Sequence, residues 1–474
     1  MKNHVAHRLL LIMLLILPIG TGVFAQSNNN KGKPSPTPTP QVCQTPTSNT
    51  NSWTGSGGLD TTFGSGGIVT SHVSDPAFQI EDARALLPQA DGKIVTIGTG
   101  RNPNDITSHD VLVTRYNTDG TLDTTFGDDD PLVMFQQRGY TFIRFTPGLA
   151  WGRAGAIDAN GNIIVGGAVA DYKQTGLAKL DPNGRLDPTF GTGGKVQLGL
   201  GTFTDLVLQS DGKILVSVDG SKFNVVRFDS NGSLDGTFGT GGIVSISATG
   251  ARRAGGSAYS ITKQVVAGEE RIVLAGQWND GSSLLFALMR FLPSGALDST
   301  FGTAGNGIVL TPFAGAMHIW DHKIDSLNRI VVAGDVSSGG CAGVEAAYAR
   351  YLENGALDVT FSGDGKLTRD IYGAGNGTAR SIVIQPDGKI VSGGFASNAD
   401  RSYSDSFVIR LLDDGGPDTT FGPPGFWGGG VVTTDIAGSS EYGMGVALQS
   451  DGKILTGGHT ESVGKASTVI RYLP

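Results

Sequence analysis

Across residues 379–434, apolar and polar side chains alternate in short runs rather than at helical spacing. Ala379 to Gln385 alternates into an Asp387-Gly388 turn, and Lys389 to Gly393 follows. After a loop come Phe407 to Leu411 and then Gly430 to Thr434. Two-residue alternation bounded by Asp-Gly predicts strands joined by tight turns, so this stretch should hold four short antiparallel strands. No segment sustains a helical period.

The same pattern returns along the chain. Its turn and second strand recur as Asp91-Gly92-Lys93-Ile94, Asn160-Gly161-Asn162-Ile163, Asp211-Gly212-Lys213-Ile214 and Asp451-Gly452-Lys453-Ile454. Two units depart from the turn, with Glu269-Glu270-Arg271 and Leu327-Asn328-Arg329. A basic-aromatic pair ends the third strand in Arg115-Tyr116, Arg227-Phe228, Arg290-Phe291, Arg350-Tyr351 and Arg471-Tyr472, with Lys179-Leu180 and Arg410-Leu411 as variants. The clearest signal is a seven-fold Leu-Asp-x-Thr-Phe element (Pro417 replaces Leu in the last copy). It places Asp60, Asp123, Asp187, Asp235, Asp298, Asp358 and Asp418 about 60 residues apart, with Phe63, Phe126, Phe190, Phe238, Phe301, Phe361 and Phe421 three positions on. This element is expected to form a single helical turn, capped by Asp, packed through Phe and left through a left-handed Gly. Seven identical groups read as architecture: caps and ion pairs within or between repeats.

Seven units of four antiparallel strands predict an all-β fold, a seven-bladed β-propeller of four-stranded blades. Closure can be checked on the sequence. In six units the basic residue precedes its aspartate by eight positions, but Arg471-Tyr472-Leu473-Pro474 ends the chain before one. Ser56-Gly57-Gly58-Leu59-Asp60 begins without a preceding basic strand. Joined, the two ends match residues 290–298 at seven of nine positions. A strand near Gly67 to Thr70 should therefore complete the C-terminal blade and leave no edge at the seam. This combination of motifs, over residues 56–474, resembles the delta-60 repeat of exported bacterial proteins. The resemblance implies a β-propeller-like domain and carries no catalytic residues.

Residues 1–25 read as a signal peptide: Lys2, His4 and Arg8 precede an apolar run from Leu9 to Ile19, with small residues before Ala25. Residues 26–54 read as a Pro/Thr/Asn-rich linker, and 55–474 as the propeller. Export to the periplasm, cell surface or medium is expected, without stable membrane insertion after cleavage, as a monomer. Cys43 and Cys341 are either bridged or two free thiols. Glycine supplies 73 of the 474 residues without a Gly-X-Y period, which suits many tight turns. A net charge of −8 without basic blocks argues against nucleic acid as a partner.

Strand alternation gathers the repeated turns on one face and the irregular loops on the other. Variable loops on a rigid scaffold are where recognition concentrates. Candidate binding residues there are His109, Arg138, Tyr140, Trp151, Arg153, Trp278, Asp280, Arg401 and Tyr403. A further cluster is His318-Ile319-Trp320-Asp321-His322; simple alternation puts His318, Trp320 and His322 on one side. It serves either as part of a metal site or, the favoured reading, as blade-to-blade packing. Asp181-Pro182-Asn183-Gly184, Asp229-Ser230-Asn231-Gly232 and Asp128-Asp129-Asp130 invite calcium, yet Asx-Gly turns explain them; neither metal nor cofactor is expected. Nucleophile elbows, zinc-helix motifs and phosphate loops are missing from the sequence. The expectation is a non-catalytic scaffold that binds a protein or glycan through the variable face. The alternatives are a carbohydrate-active hydrolase or lyase with carboxylates at the channel mouth, and a purely structural surface protein.

Overall fold

The computed structural model describes residues 52–73, 81–101, 108–127, 139–145, 148–220, 222–247, 255–337, 343–372, 377–397, 402–424, 429–462 and 464–474. All lie in the second of two units into which the chain divides, Cys43–Pro474. The expected leader and most of the linker, Cys43, Asp128-Asp129-Asp130, Arg138, Cys341 and Arg401 lie outside the described residues.

Twenty-eight strands form seven four-stranded antiparallel sheets, a seven-bladed propeller, and the described residues contain no helix. No described helix is therefore long and apolar enough to cross a membrane. Six blades take their strands in chain order, from the channel outward. Blade 1 begins with Ala85–Pro88, blade 2 with Trp151–Ile157, blade 3 with Thr202–Leu208, blade 4 with Gly255–Val266, blade 5 with Ala316–Ile324 and blade 6 with Gly377–Ile384. Blade 7 combines Glu441–Leu448, Ile454–Thr460 and Ala466–Tyr472 with Ile68–Ser71 as its outermost strand, paired Ile68 to Ile470 through Ser71 to Ser467. The two ends of the chain close the ring as expected.

The core lies between blades. Phe223 and Val225 of blade 3 meet Ala258, Ile261 and Trp278 of blade 4, and an apolar cluster of this kind fills every junction, including blade 7 against blade 1 through Val469, Leu455, Ile94 and Tyr116. Each buried Phe contributes about 2–3 kcal/mol of transfer free energy. Small residues let the sheets approach: a Cβ on Gly166 would lie 2.1 Å from the Phe203 ring.

In every blade but the second, three sequence signals converge on one buried cluster. In blade 1, Asp123 Oδ2 accepts from Arg115 Nε at 2.6 Å and from Lys93 of the Asp-Gly-Lys turn at 2.8 Å. Asp235 takes Arg227 and Lys213 in the same way, at 2.7 and 2.8 Å. Three units lack Asp-Gly-Lys; two keep the charge, Arg271 lying 3.4 Å from Asp298 and Arg329 3.7 Å from Asp358, while in blade 2 Asn162 bonds Asp158 instead. The second Asp oxygen caps the turn, as Asp60 Oδ1 accepts from Thr62 N at 3.1 Å and Thr62 Oγ1 at 2.6 Å. The element is an aspartate-capped β-turn, Asp60 C=O to Phe63 N–H at 3.0 Å, rather than a turn of helix. Its exit is left-handed throughout, even at Ser362 (φ 53°).

The same clusters lock neighbouring blades. Arg115 donates to Pro182 C=O of blade 2, Arg227 to Pro293 C=O and Arg471 to Thr118 C=O, each at 2.6 Å. Each guanidinium also covers its own blade's Phe ring, as Arg471 does Phe63 at 4.4 Å. At the seam Arg471 Nε reaches Asp60 at 2.8 Å across 411 residues of sequence.

Candidate functional site

The innermost strands are not regular. Register slips between Gly152 and Ala154, Phe203 and Asp205, Ala258 and Ser260, Ile319 and Asp321, Ala379 and Ser381, and Gly443 and Gly445. A bulge leaves one extra residue outside the ladder and re-aims it. The extra residues are Arg153, Thr204, Tyr259, Trp320, Arg380 and Met444, and Arg84 holds the matching place just before the first strand of blade 1. All seven line one cavity of about 690 Å³ along the channel. Innermost strands run from the variable face toward the repeated turns, so these residues sit near the variable-face mouth.

Aromatic rings and guanidiniums alternate around that mouth. Arg380 lies 3.7 Å from the Trp320 centroid and 5.4 Å from Phe395. Trp320 stacks on His318 at 4.6 Å and meets Tyr259 edge-on at 5.1 Å. Phe395 meets Tyr442 at 5.0 Å, and Tyr442 stacks on His459 at 4.9 Å. Opposite, Trp151 lies 3.9 Å from Tyr172, with Arg84 and Arg153 at 5.1 and 5.8 Å from the indole.

The carboxylates here are already committed. Asp335 accepts from His318 N and Nδ1, from Trp320 Nε1 at 2.6 Å and from Thr378 Oγ1 at 2.5 Å. Burial opposes its ionisation, but these donors prevail and hold its pKa below the usual range. Arg84 Nε pairs with Asp82 at 2.7 Å. Arg153 and Arg380, by contrast, make no hydrogen bond or ion pair among the described residues, and the Nε of each is buried without an acceptor. Burial and then the Arg84 charge push Arg153 down to about 10, and burial pushes Arg380 down to about 10 against the opposing charge of Asp335.

Deeper in the wall, Ser260 Oγ lies 3.1 Å from both Asp205 Oδ2 and Asp321 Oδ1 and from His322 Nδ1. One hydroxyl proton cannot serve both carboxylates. Lys323 donates to Asp321 at 2.7 Å. Burial, with Asp321 adding to it and Lys323 opposing, pushes Asp205 up to about 6. Burial and then Lys323 push His322 down to about 3, so it is neutral.

The structure brings Trp151, Arg153, His318 and Trp320 together at the mouth. It does not bring His322 there: two bulges break the alternation, and His322 is fully buried between blades, as the packing reading has it. Tyr140 opens the outermost strand of blade 1 beside Gly127, at the repeated-turn end and buried, not on the variable face. Trp278 is buried against Phe223 at 5.7 Å. Asp280 caps its own loop through Ser282 N and Ser283 N. His109 and Tyr403 lie on the variable face, at or beside the start of third strands, away from the channel. Tyr259, Arg380 and Tyr442 escape a loop-based reading because they belong to strands, and Arg84 because it directly precedes one. A positional signal does mark the bulges: Arg84, Arg153, Thr204, Trp320, Arg380 and Met444 each stand seven residues before the first turn residue, Asp91, Asn160, Asp211, Leu327, Asp387 and Asp451.

A family profile described as "Domain of unknown function (DUF5122) beta-propeller" matches residues 89–126, 159–190, 209–238, 271–301 and 385–421, so the chain is built of β-propeller repeats. Comparison with curated protein sequences gives no match. Among solved structures it resembles the polysaccharide lyase Uly1 (11% identity, 82% of this chain and 90% of that one, TM-score 0.46). It also resembles a polysaccharide lyase PL25 ulvan lyase (12%, 84% and 94%, TM-score 0.44) and a protein of unknown function from Bacteroides caccae (11%, 69% and 95%, TM-score 0.38). These likenesses concern the propeller fold alone.

Proposed function

We propose that the protein is an exported, monomeric binding module that takes a negatively charged saccharide into the variable-face mouth of its channel. The observation that carries this reading is the pair Arg153 and Arg380: two guanidiniums with no protein acceptor, in a cavity walled by indole and phenol rings. Flat aromatic faces suit the C–H faces of sugar rings, and guanidinium forks suit carboxylate or sulfate groups. A concave mouth of this size suits a saccharide chain better than a protein surface. The test is affinity electrophoresis of the full mature chain against acidic and neutral polysaccharides. Retardation by acidic polymers, weakened at least about tenfold in Arg153→Ala and Arg380→Ala, is expected, since each charged contact contributes on the order of 1.5–3 kcal/mol. Retardation by neither class sinks the saccharide reading.

One observation favours a catalytic second reading. Asp205 and Asp321 share Ser260, line the cavity and are shifted in opposite directions, Asp205 upward and Asp321 downward. Such a split is what acid–base work requires. Turnover of a bound polysaccharide that is lost in Asp205→Asn would establish it.

A further inference from the structure

A second polar cluster lies away from the channel cavity, where the blade 6 sheet hands over to blade 7. Asp405 is the second residue of the third strand of blade 6, Ser404–Leu411. Asp435 directly follows the outermost strand, Val431–Thr434, and Glu441 opens the innermost strand of blade 7. The topology folds these three points together: one carboxylate oxygen from each lies within 4.8 Å of the others.

Two of the three groups are buried with an oxygen to spare. Glu441 is 1% exposed; its Oε1 accepts from Ser439 Oγ at 2.8 Å and Thr460 Oγ1 at 2.9 Å, while Oε2 has no partner. Asp405 is 8% exposed; its Oδ2 accepts from the Tyr372 hydroxyl, while Oδ1 has no partner. Asp435 Oδ1 accepts from Gly438 N at 2.7 Å, which curls the connecting loop over the cluster. Among the described residues no Lys or Arg forms an ion pair with Asp405 or Glu441. Buried carboxylate oxygens without donors are costly, and only a proton or a cation relieves that cost.

We propose that Asp405, Asp435 and Glu441 form a binding site for a hard divalent cation, Ca²⁺ in the first place. All three donors are carboxylates, and among the described residues no His or Cys joins the group, which is oxygen chemistry suited to Ca²⁺ rather than to Zn²⁺. Their irregular arrangement around a loop suits the flexible coordination of Ca²⁺ better than the strict octahedron of Mg²⁺. The cation bridges blades 6 and 7 and fixes the start of the strand that carries Tyr442, the next residue, into the aromatic arc. Burial, followed by the charge of the neighbouring carboxylates, raises both Asp405 and Glu441, which is how the cluster behaves when protons are its only occupants.

The experiment is calorimetric titration of the chelator-stripped full chain with CaCl₂, and separately with MgCl₂, at neutral pH, with thermal unfolding followed in parallel. Expected are one Ca²⁺ bound per chain, a higher unfolding temperature with Ca²⁺ than with chelator, and at least about tenfold weaker binding in Asp405→Asn and Glu441→Gln. The wild-type comparison of calcium against chelator needs no variant to fold. The proposal is overturned if neither cation binds, or if Ca²⁺ binds the two variants as tightly as the wild type. It is equally overturned if Glu441→Gln stabilises the chain by the same amount with Ca²⁺ as with chelator, for the cluster then holds protons only.

Discussion

At the residue scale, one motif carries most of the architecture. Its Asp neutralises the buried cation of the third strand, caps its own turn and takes a second cation from the Asp-Gly-Lys turn. Arg290 and Arg350 are 1% exposed, and stripping either of its aspartate would cost about 3–5 kcal/mol. The Asp, Arg and Phe of this cluster were legible because they recur; that the turn lysine joins them was not, since Asp-Gly-Lys reads equally well as a plain hairpin. Two classes of acid then set the response to pH. Burial opposes ionisation of Asp60, but Thr62, Arg471 and Lys453 outweigh it and draw it down to about 2, and all six of its repeats are lowered. A depressed carboxyl stabilises the fold above its unfolded pKa of about 3.9, and that contribution is lost as pH falls through the folded value. Asp205, at about 6, and Glu441, at about 7, do the reverse: stability is lost as pH rises from about 4 through those values. Urea unfolding of the chelator-stripped protein should therefore show a stability maximum at roughly pH 4–5, declining on both sides. A maximum above pH of about 7 would contradict these assignments.

At the element scale, the candidate site is a consequence of bulges. Perfect alternation would have turned His318, Trp320 and His322 to one side; the bulges in the innermost strand of blade 5 instead place Trp320 at the mouth and His322 in the wall. Alternation rules therefore predicted the strands and misplaced their side chains, because a single inserted residue reverses every face beyond it. The bulge also explains why two guanidiniums can stand in the channel without carboxylate partners. Such a placement favours ligand binding over stability. Arg380→Met should accordingly keep or slightly raise the unfolding midpoint in urea, within about 1 kcal/mol, while weakening saccharide binding. A loss of several kcal/mol would show that Arg380 holds the fold together instead.

At the scale of the whole molecule, the ring is closed by residues 56–71. The sequence disclosed this through two complementary half-motifs, and the structure realises it with the strand pairing of Ile68–Ser71, the Arg471–Asp60 ion pair and the bond from Gly422 N to Ser56 O. Removing everything before His72 would leave Val469 and Tyr472 without their cover and Arg471 buried without its aspartate. That truncation should abolish cooperative unfolding of the entire domain, seen as loss of a sharp calorimetric transition, rather than merely fray blade 7. The candidate site was far less legible than the ring, since it depends on residues of seven separate blades that meet only after closure.

The most direct measurement compares the affinity of the full chain for an acidic polysaccharide with its affinity for the same polymer after carboxyl reduction. A preference of at least about tenfold for the charged form, lost in Arg153→Ala, is the expected result. Equal affinity for the two forms would contradict a mouth built around unsatisfied guanidiniums.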